Sequence, residues 1–269
     1  MSMPTRLAAP DRARHVSPAW AVRDALTVTW RNLIALTRNP ELMVFATIQP
    51  VIFVLMFRYV FGGAIQVPGV PYVDYLMPGI WAQTVVFGAI TTAVGLAEDL
   101  HTGLIERFRS LPMARSAMLV GRTNADVVRN VFVVALMCAV GFAVGFRNHT
   151  SALALLAALG LMLFLGYSLS WLFAVIGLWA PTAETAQAAA FPIVAVLTFA
   201  SSAFVPVATM PGWLQPFARN QPVSVTVNAA RALVLGGPTA HYVALSIAWI
   251  IAIVGVCAPL TVQRYRRVT

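Results

Sequence analysis

The chain has 269 residues, of which 59% are hydrophobic and 10% charged, and its formal net charge is +9. That balance excludes an ordinary soluble domain and predicts a polytopic membrane protein. All eighteen basic residues are arginine and no lysine occurs, so the chain has no lysine for a nucleotide-binding loop of the form G-x-x-x-x-G-K-S/T.

Residues 1–16 carry Arg6, Arg12 and Arg14 among small residues and prolines and read as a disordered cytoplasmic tail. Ser17-Pro18 reads as a helix start, a cap followed by a first-turn proline. Through residue 39 the pattern is amphipathic. Val22, Leu26, Trp30, Leu33 and Leu36 share one face, with Asp24, Arg31 and Arg38 opposite. Such a helix lies in the membrane interface with Trp30 at head-group depth.

Residues 40–269 form a transmembrane domain of six predicted helical spans, so the fold class is an all-α membrane protein. The first span runs from Leu42 to Phe61, with Pro50 inside and Arg58 reaching outward to the interface. The second runs from Tyr72 to Ala97, with Asp74 at its outer mouth and a bend expected at Pro78-Gly79. The third, Ala125 to Phe146, contains Gly141 and Gly145 at the spacing that allows close helix contact. The fourth, Ala152 to Ala180, is longer than a bilayer demands. The fifth runs from Ala188 to Val205 and the sixth from Val243 to Val262. Between these last two, Val207 to Tyr242 is too polar and too broken by proline to span. It predicts an external re-entrant helical hairpin, marked by Pro206, Pro211 and Trp213.

Arginine placement orients these spans. Thirteen arginines fall on segments assigned to the cytoplasm, while Arg147, Arg219 and Arg231 fall outside and Arg58 and Arg129 within spans. Both termini are therefore expected in the cytoplasm. The short loop Pro181 to Gln187 is assigned inside although it has no arginine. The first forty residues contain no apolar core of signal-peptide length. The basic residues flank spans instead of lining one soluble domain, so anionic lipid head groups are the expected counter-charge and nucleic acid is not a partner. Cys138 and Cys257 sit in apolar runs and read as buried free thiols.

The polar stretch from Glu98 to Arg129 sits between two apolar runs and carries Arg107, Arg109, Arg115, Arg122 and Arg129. Within it, Leu104, Phe108 and Leu111 recur at helical spacing, with Glu106 and Arg109 opposite, and Pro112 stops the pattern. This is a short amphipathic helix lying under the membrane. The run LIERFRSLPMARSAMLVGR resembles the cytoplasmic coupling segment of ABC-2 type permeases, most closely the daunorubicin/doxorubicin-resistance type. Glu106, Arg107, Leu111, Pro112, Arg115, Gly121 and Arg122 carry the likeness. The resemblance implies a bacterial inner-membrane permease that couples through Leu104, Glu106, Arg107, Phe108, Arg109, Pro112, Arg115 and Arg122 to a separate ATP-binding subunit. ATP and magnesium would be bound by that subunit, and this chain would bind no cofactor. A second permease copy or a homologue would complete the path.

His15, His101, His149 and His241 form no ligand pattern, and no nucleophile–base set is present. The chain is therefore expected to be a transport subunit and not an enzyme. Nearly uncharged spans imply a hydrophobic or amphipathic substrate, with Gln49, Gln83, Thr84, Tyr167 and Ser168 as polar contacts along its path. Drug efflux is the leading reading. Export of a cell-envelope lipid, glycolipid or polyketide is the alternative, and a non-transporting membrane anchor or assembly protein is a second.

Overall fold

A computed structural model describes residues 27, 29–30, 34, 40–65, 67, 69–102 and 117–268. Most of the predicted interfacial helix and the segment 103–116 lie outside them. The described elements are all helical. They are α1 (Pro40–Leu55, continued by a π turn, Met56–Val60), α2 (Tyr72–Gly88), α3 (Ile90–His101), α4 (Ala117–Ala143) and α5 (Ala152–Trp179). After these come α6 (Ala183–Phe199), a 3-10 turn (Val207–Thr209), α7 (Gln215–Asn220), α8 (Pro222–Leu235) and α9 (Thr239–Val268). Among the described residues four stretches are long and apolar enough to cross a membrane: α2 with α3, α4, α5 and α9.

Local chemistry sets several boundaries. Ser151 caps α5 by accepting from the Ala154 N–H, and Thr182 caps α6 by accepting from the Thr185 N–H. Gln221 does the same for α8, whose first residue is Pro222, and Gly236 ends that helix at a φ of 91°.

The α2–α3 pair is the buried centre. Of its most apolar eighteen residues 72% are buried, against 11% for α9. Leu76, Met77, Ile80 and Trp81 are fully buried there, among Met137, Phe146, Leu165 and Leu169. Trp81 meets Phe146 edge to face at 5.5 Å. Helices α4, α5 and α8 pack around α2, while α3 packs chiefly on α5 and α6. The outer helices show apolar faces: Ile247, Ile251, Val256 and Leu260 on α9, and Leu156 and Phe164 on α5, are exposed. Apolar residues turned outward around a tight centre are what lipid solvent demands.

One end of the bundle is fastened by Asp74. Its carboxylate accepts from the Arg147 backbone N–H at 2.8 Å and lies 2.8 Å from His149 Nε2. The same turn reaches α8, since His149 N–H donates to the Val234 carbonyl and the Thr150 hydroxyl to the Leu233 carbonyl. Below it, Arg231 is buried although the arginine distribution assigns it to the outside. Its Nε donates to the Tyr75 carbonyl at 2.9 Å and its Nη2 to the Ser202 and Ala203 carbonyls at 2.5 and 2.9 Å. It also stacks 3.5 Å over the Tyr75 ring. One guanidinium thus satisfies the backbone where the chain leaves α6, and it serves as a structural clasp.

Several boundaries differ from the expected ones. Helix α4 begins at Ala117, eight residues before the third predicted span, so Gly121 to Asn124 are helical. Helix α6 begins at Ala183 and ends at Phe199, which shortens the predicted loop after Trp179 and leaves Ala200 to Val205 outside the helix. Pro78 and Gly79 do not interrupt α2, which is continuous through both; the interruption is at Ala89. A Cβ at Gly79 would overlap the Ala203 carbonyl, so that glycine serves close approach and not a break. Gly145 lies beyond the end of α4 at a φ of 105°, so the expected Gly141–Gly145 contact surface reduces to Gly141 against Met77. Arg58, in the π turn that continues α1, donates to the Val144 carbonyl at 3.4 Å. Cys138 and Cys257 are buried free thiols, as expected.

Arg231→Lys keeps the charge and loses the fork. It is expected to cost about 2 kcal/mol of stability, because a compact ammonium cannot reach carbonyls set around a planar fork or stack on the Tyr75 ring. The thermal unfolding midpoint of the detergent-solubilised protein measures this, and an unchanged midpoint would remove the clasp assignment.

Candidate functional site

The break between α2 and α3 is caused by a residue from α4. In an unbroken helix the Gly88 carbonyl would accept from the Thr92 N–H. Here it accepts from the Arg129 guanidinium (2.8 Å) and the Thr91 hydroxyl (2.8 Å), and the Thr92 N–H turns to the Ala89 carbonyl instead. Arg129 is 7% exposed. It also donates to the Thr91 hydroxyl and pairs with Asp126 on its own helix at 3.3 Å. The second Asp126 oxygen accepts from the Thr92 hydroxyl at 2.5 Å. Every partner of this buried ion pair is therefore a hydrogen-bonding group, the condition under which such a pair persists in a low dielectric.

A second link lies two turns further along. Arg122 on α4 pairs with Asp99 on α3. Its guanidinium lies over Gly95, where a Cβ would overlap it. The backbones of α3 and α4 approach each other closely at few points, so these long side chains make the connection. Residue spacing allows Arg122 and Arg129 each to pair with Asp126 along one helix; only Arg129 does so. Beside Gly121 the Thr29 hydroxyl donates to the Gly121 carbonyl at 3.2 Å, which brings the N-terminal segment to the start of α4.

A cavity of about 380 Å³ opens beside the break, among α1, α2, the start of α3, α4 and α6. Three of the five residues expected along a substrate path line it: Gln49, Gln83 and Thr84. Tyr167 and Ser168 do not. Tyr167 packs edge to face on Trp171 at 6.3 Å, and the Ser168 hydroxyl donates back to the Leu165 carbonyl at 2.8 Å. Sequence reading did not select Asn130 and Gln187, which also line the cavity, nor give Arg129 a part in it. An arginine inside an apolar helix is itself the signal that finds the site. Of the hairpin markers, Pro206 precedes the 3-10 turn, Pro211 follows it, and Trp213 is 80% exposed ahead of α7. Leu104, Glu106, Arg107, Phe108, Arg109, Pro112 and Arg115 lie outside the described residues. Among the described residues no group of His, Cys, Asp or Glu could hold a metal ion.

The ABC-2 type transporter signature matches residues 23–235. This chain belongs to the ABC-2 type transporter family. It is 35% identical to a daunorubicin resistance ABC transporter permease protein of Streptomyces coeruleorubidus over 248 residues, 92% of this chain and 88% of the relative. It is 28% identical to a probable doxorubicin resistance ABC transporter permease protein of Mycobacterium tuberculosis over 266 residues, 98% and 94% of the two chains. A putative transport permease of Cyanophora paradoxa is 22% identical over 227 residues, 83% and 78%. The chain is thus a multi-pass membrane permease subunit of the ABC-2 type. In this family the ATPase is a separate ATP-binding subunit.

Gly95→Ala is expected to cost about 2 kcal/mol by forcing the Arg122 guanidinium aside, and Gly95→Ala with Arg122→Ala to recover part of that loss. Unfolding midpoints of the two single variants and the double variant give the coupling. Simple additivity would show that Gly95 is not the seat of the guanidinium.

Proposed function

We propose that this chain is the membrane half of an ATP-driven bacterial exporter that moves hydrophobic or amphipathic compounds out of the cytoplasm or the inner leaflet. Six helices cross the inner membrane in this reading, with both termini in the cytoplasm. Helix α1 with its π turn is about 32 Å long and α6 about 26 Å, each close to the hydrocarbon thickness. α7 and α8 form the external hairpin. The segment 103–116 is the cytoplasmic coupling helix, and Leu104, Glu106, Arg107, Phe108, Arg109, Pro112 and Arg115 dock an ATP-binding subunit. A second copy of the chain, or a homologous permease, completes the path.

The observation that carries this reading is the lashing of α3 to α4. These helices lead into and out of the segment 103–116. Asp99–Arg122 and the Arg129 cluster connect them on the way to the cavity. A push on the coupling segment is thereby delivered to both helices at once and reaches the break at Ala89, where the cavity begins. The relatives' names, which speak of daunorubicin and doxorubicin resistance, support efflux as the direction.

Co-reconstitution with the ATP-binding subunit in lipid vesicles tests the assignment. Glu106→Ala is expected to lower substrate-stimulated ATP hydrolysis about tenfold, the effect of truncating one central interface residue, and to weaken co-purification of the subunit. Full stimulation by the variant would show that the coupling helix lies elsewhere.

A further inference from the structure

The cavity beside Ala89 has a chemistry of its own. Phe87, Ile90 and Val133 give it apolar walls, and among the described residues no aspartate or glutamate lines it. Among the described lining residues the one charged group is Arg129, which is already engaged by Asp126, the Thr91 hydroxyl and the Gly88 carbonyl. A cationic head group would meet a guanidinium with no carboxylate on the wall. An anionic one would have to compete with Asp126, which already pairs with that guanidinium. The groups left for a ligand are neutral. Gln83 is 2% exposed and lines the cavity, and its buried Oε1 has no hydrogen-bond partner. The Thr84 hydroxyl donates to the Ile80 carbonyl at 2.8 Å and keeps its lone pairs for a donor. Gln49 and Gln187, both exposed, set amides on the open side.

We propose that this cavity is a binding subsite for an uncharged amphiphile, whose hydroxyl donates to Gln83 Oε1 while its apolar body lies against Phe87, Ile90 and Val133. The proposal rests on the export reading and narrows its cargo to compounds with a neutral, hydroxyl-bearing head. At about 380 Å³ the space suits a head group and the first part of a tail.

Three photoreactive probes share one diazirine-bearing alkyl chain and end in glycerol, phosphate or trimethylammonium. Each is added to the permease with its ATP-binding subunit in nanodiscs and crosslinked, and labelled residues are mapped by mass spectrometry. The glycerol probe is expected to label Phe87 to Thr91 and Val133 about tenfold more than the trimethylammonium probe, and more than the phosphate probe. Gln83→Leu is expected to reduce that labelling about fivefold, the loss of one neutral hydrogen bond, in a complex that still elutes with its ATP-binding subunit. Equal or stronger labelling by either charged probe, no labelling in the cavity, or labelling unaffected by Gln83→Leu overturns the proposal. ATP-driven movement of the probes across vesicles is scored separately. Movement without cavity labelling removes the subsite and leaves export standing; cavity labelling without movement removes export and leaves the subsite standing.

Discussion

A buried guanidinium inside an apolar helix bundle needs acceptors on every side, and Arg129 finds them by opening its neighbour. The Gly88 carbonyl is drawn out of its own helix, Thr91 turns its hydroxyl to the same point, and Asp126 supplies the counter-charge. In hydrocarbon an unsatisfied backbone group is costly, so the break at Ala89 and the arginine depend on each other. Without the cation the helix would close, and without the break the cation would be short of acceptors. The position of the cavity follows from this exchange, because the residues freed from regular packing at the break form part of its wall.

The same economy organises the far end of the bundle. Arg231 gathers carbonyls from α2 and from the residues after α6, and Asp74 gathers the turn between α4 and α5. The two ends differ in kind. At the Asp74 end the polar bonds join segments to one another through backbone groups, which fixes the bundle. At the Asp99 end the Asp99–Arg122 pair runs from side chain to side chain, between helices whose backbones approach only at a few points. A fixed end and a lashed end suit a permease that pivots under force applied from one side.

The sequence made the helix order legible, because lipid solvent writes long apolar runs. Its boundaries were less so. Gly121 to Asn124 and Ala183 to Gln187 are polar or small yet helical, because capping by Thr182 and packing of α4 on its neighbours extend those helices past their apolar parts. Ala200 to Val205 is apolar yet leaves the helix, because Arg231, Tyr72 and Tyr75 supply its backbone with other partners. Helix α2 runs unbroken through Pro78-Gly79, and the close approach of Ala203 accounts for the glycine. Of the cavity, Gln49, Gln83 and Thr84 were legible as polar residues in apolar helices. The parts of Arg129, Asn130 and Gln187 were not, since they depend on which faces of five helices meet. The pairing of Arg122 with Asp99 was hidden by an equally good spacing to Asp126 along α4.

The central claim is that α3 and α4 move as one unit when the ATP-binding subunit acts. Spin labels at the exposed positions His101 on α3 and Val131 on α4, read by pulsed electron paramagnetic resonance in the reconstituted complex, report on it directly. A rigid unit gives one narrow distance that is the same without nucleotide and with ATP trapped in the partner. A distance that shifts or broadens between those states would contradict it.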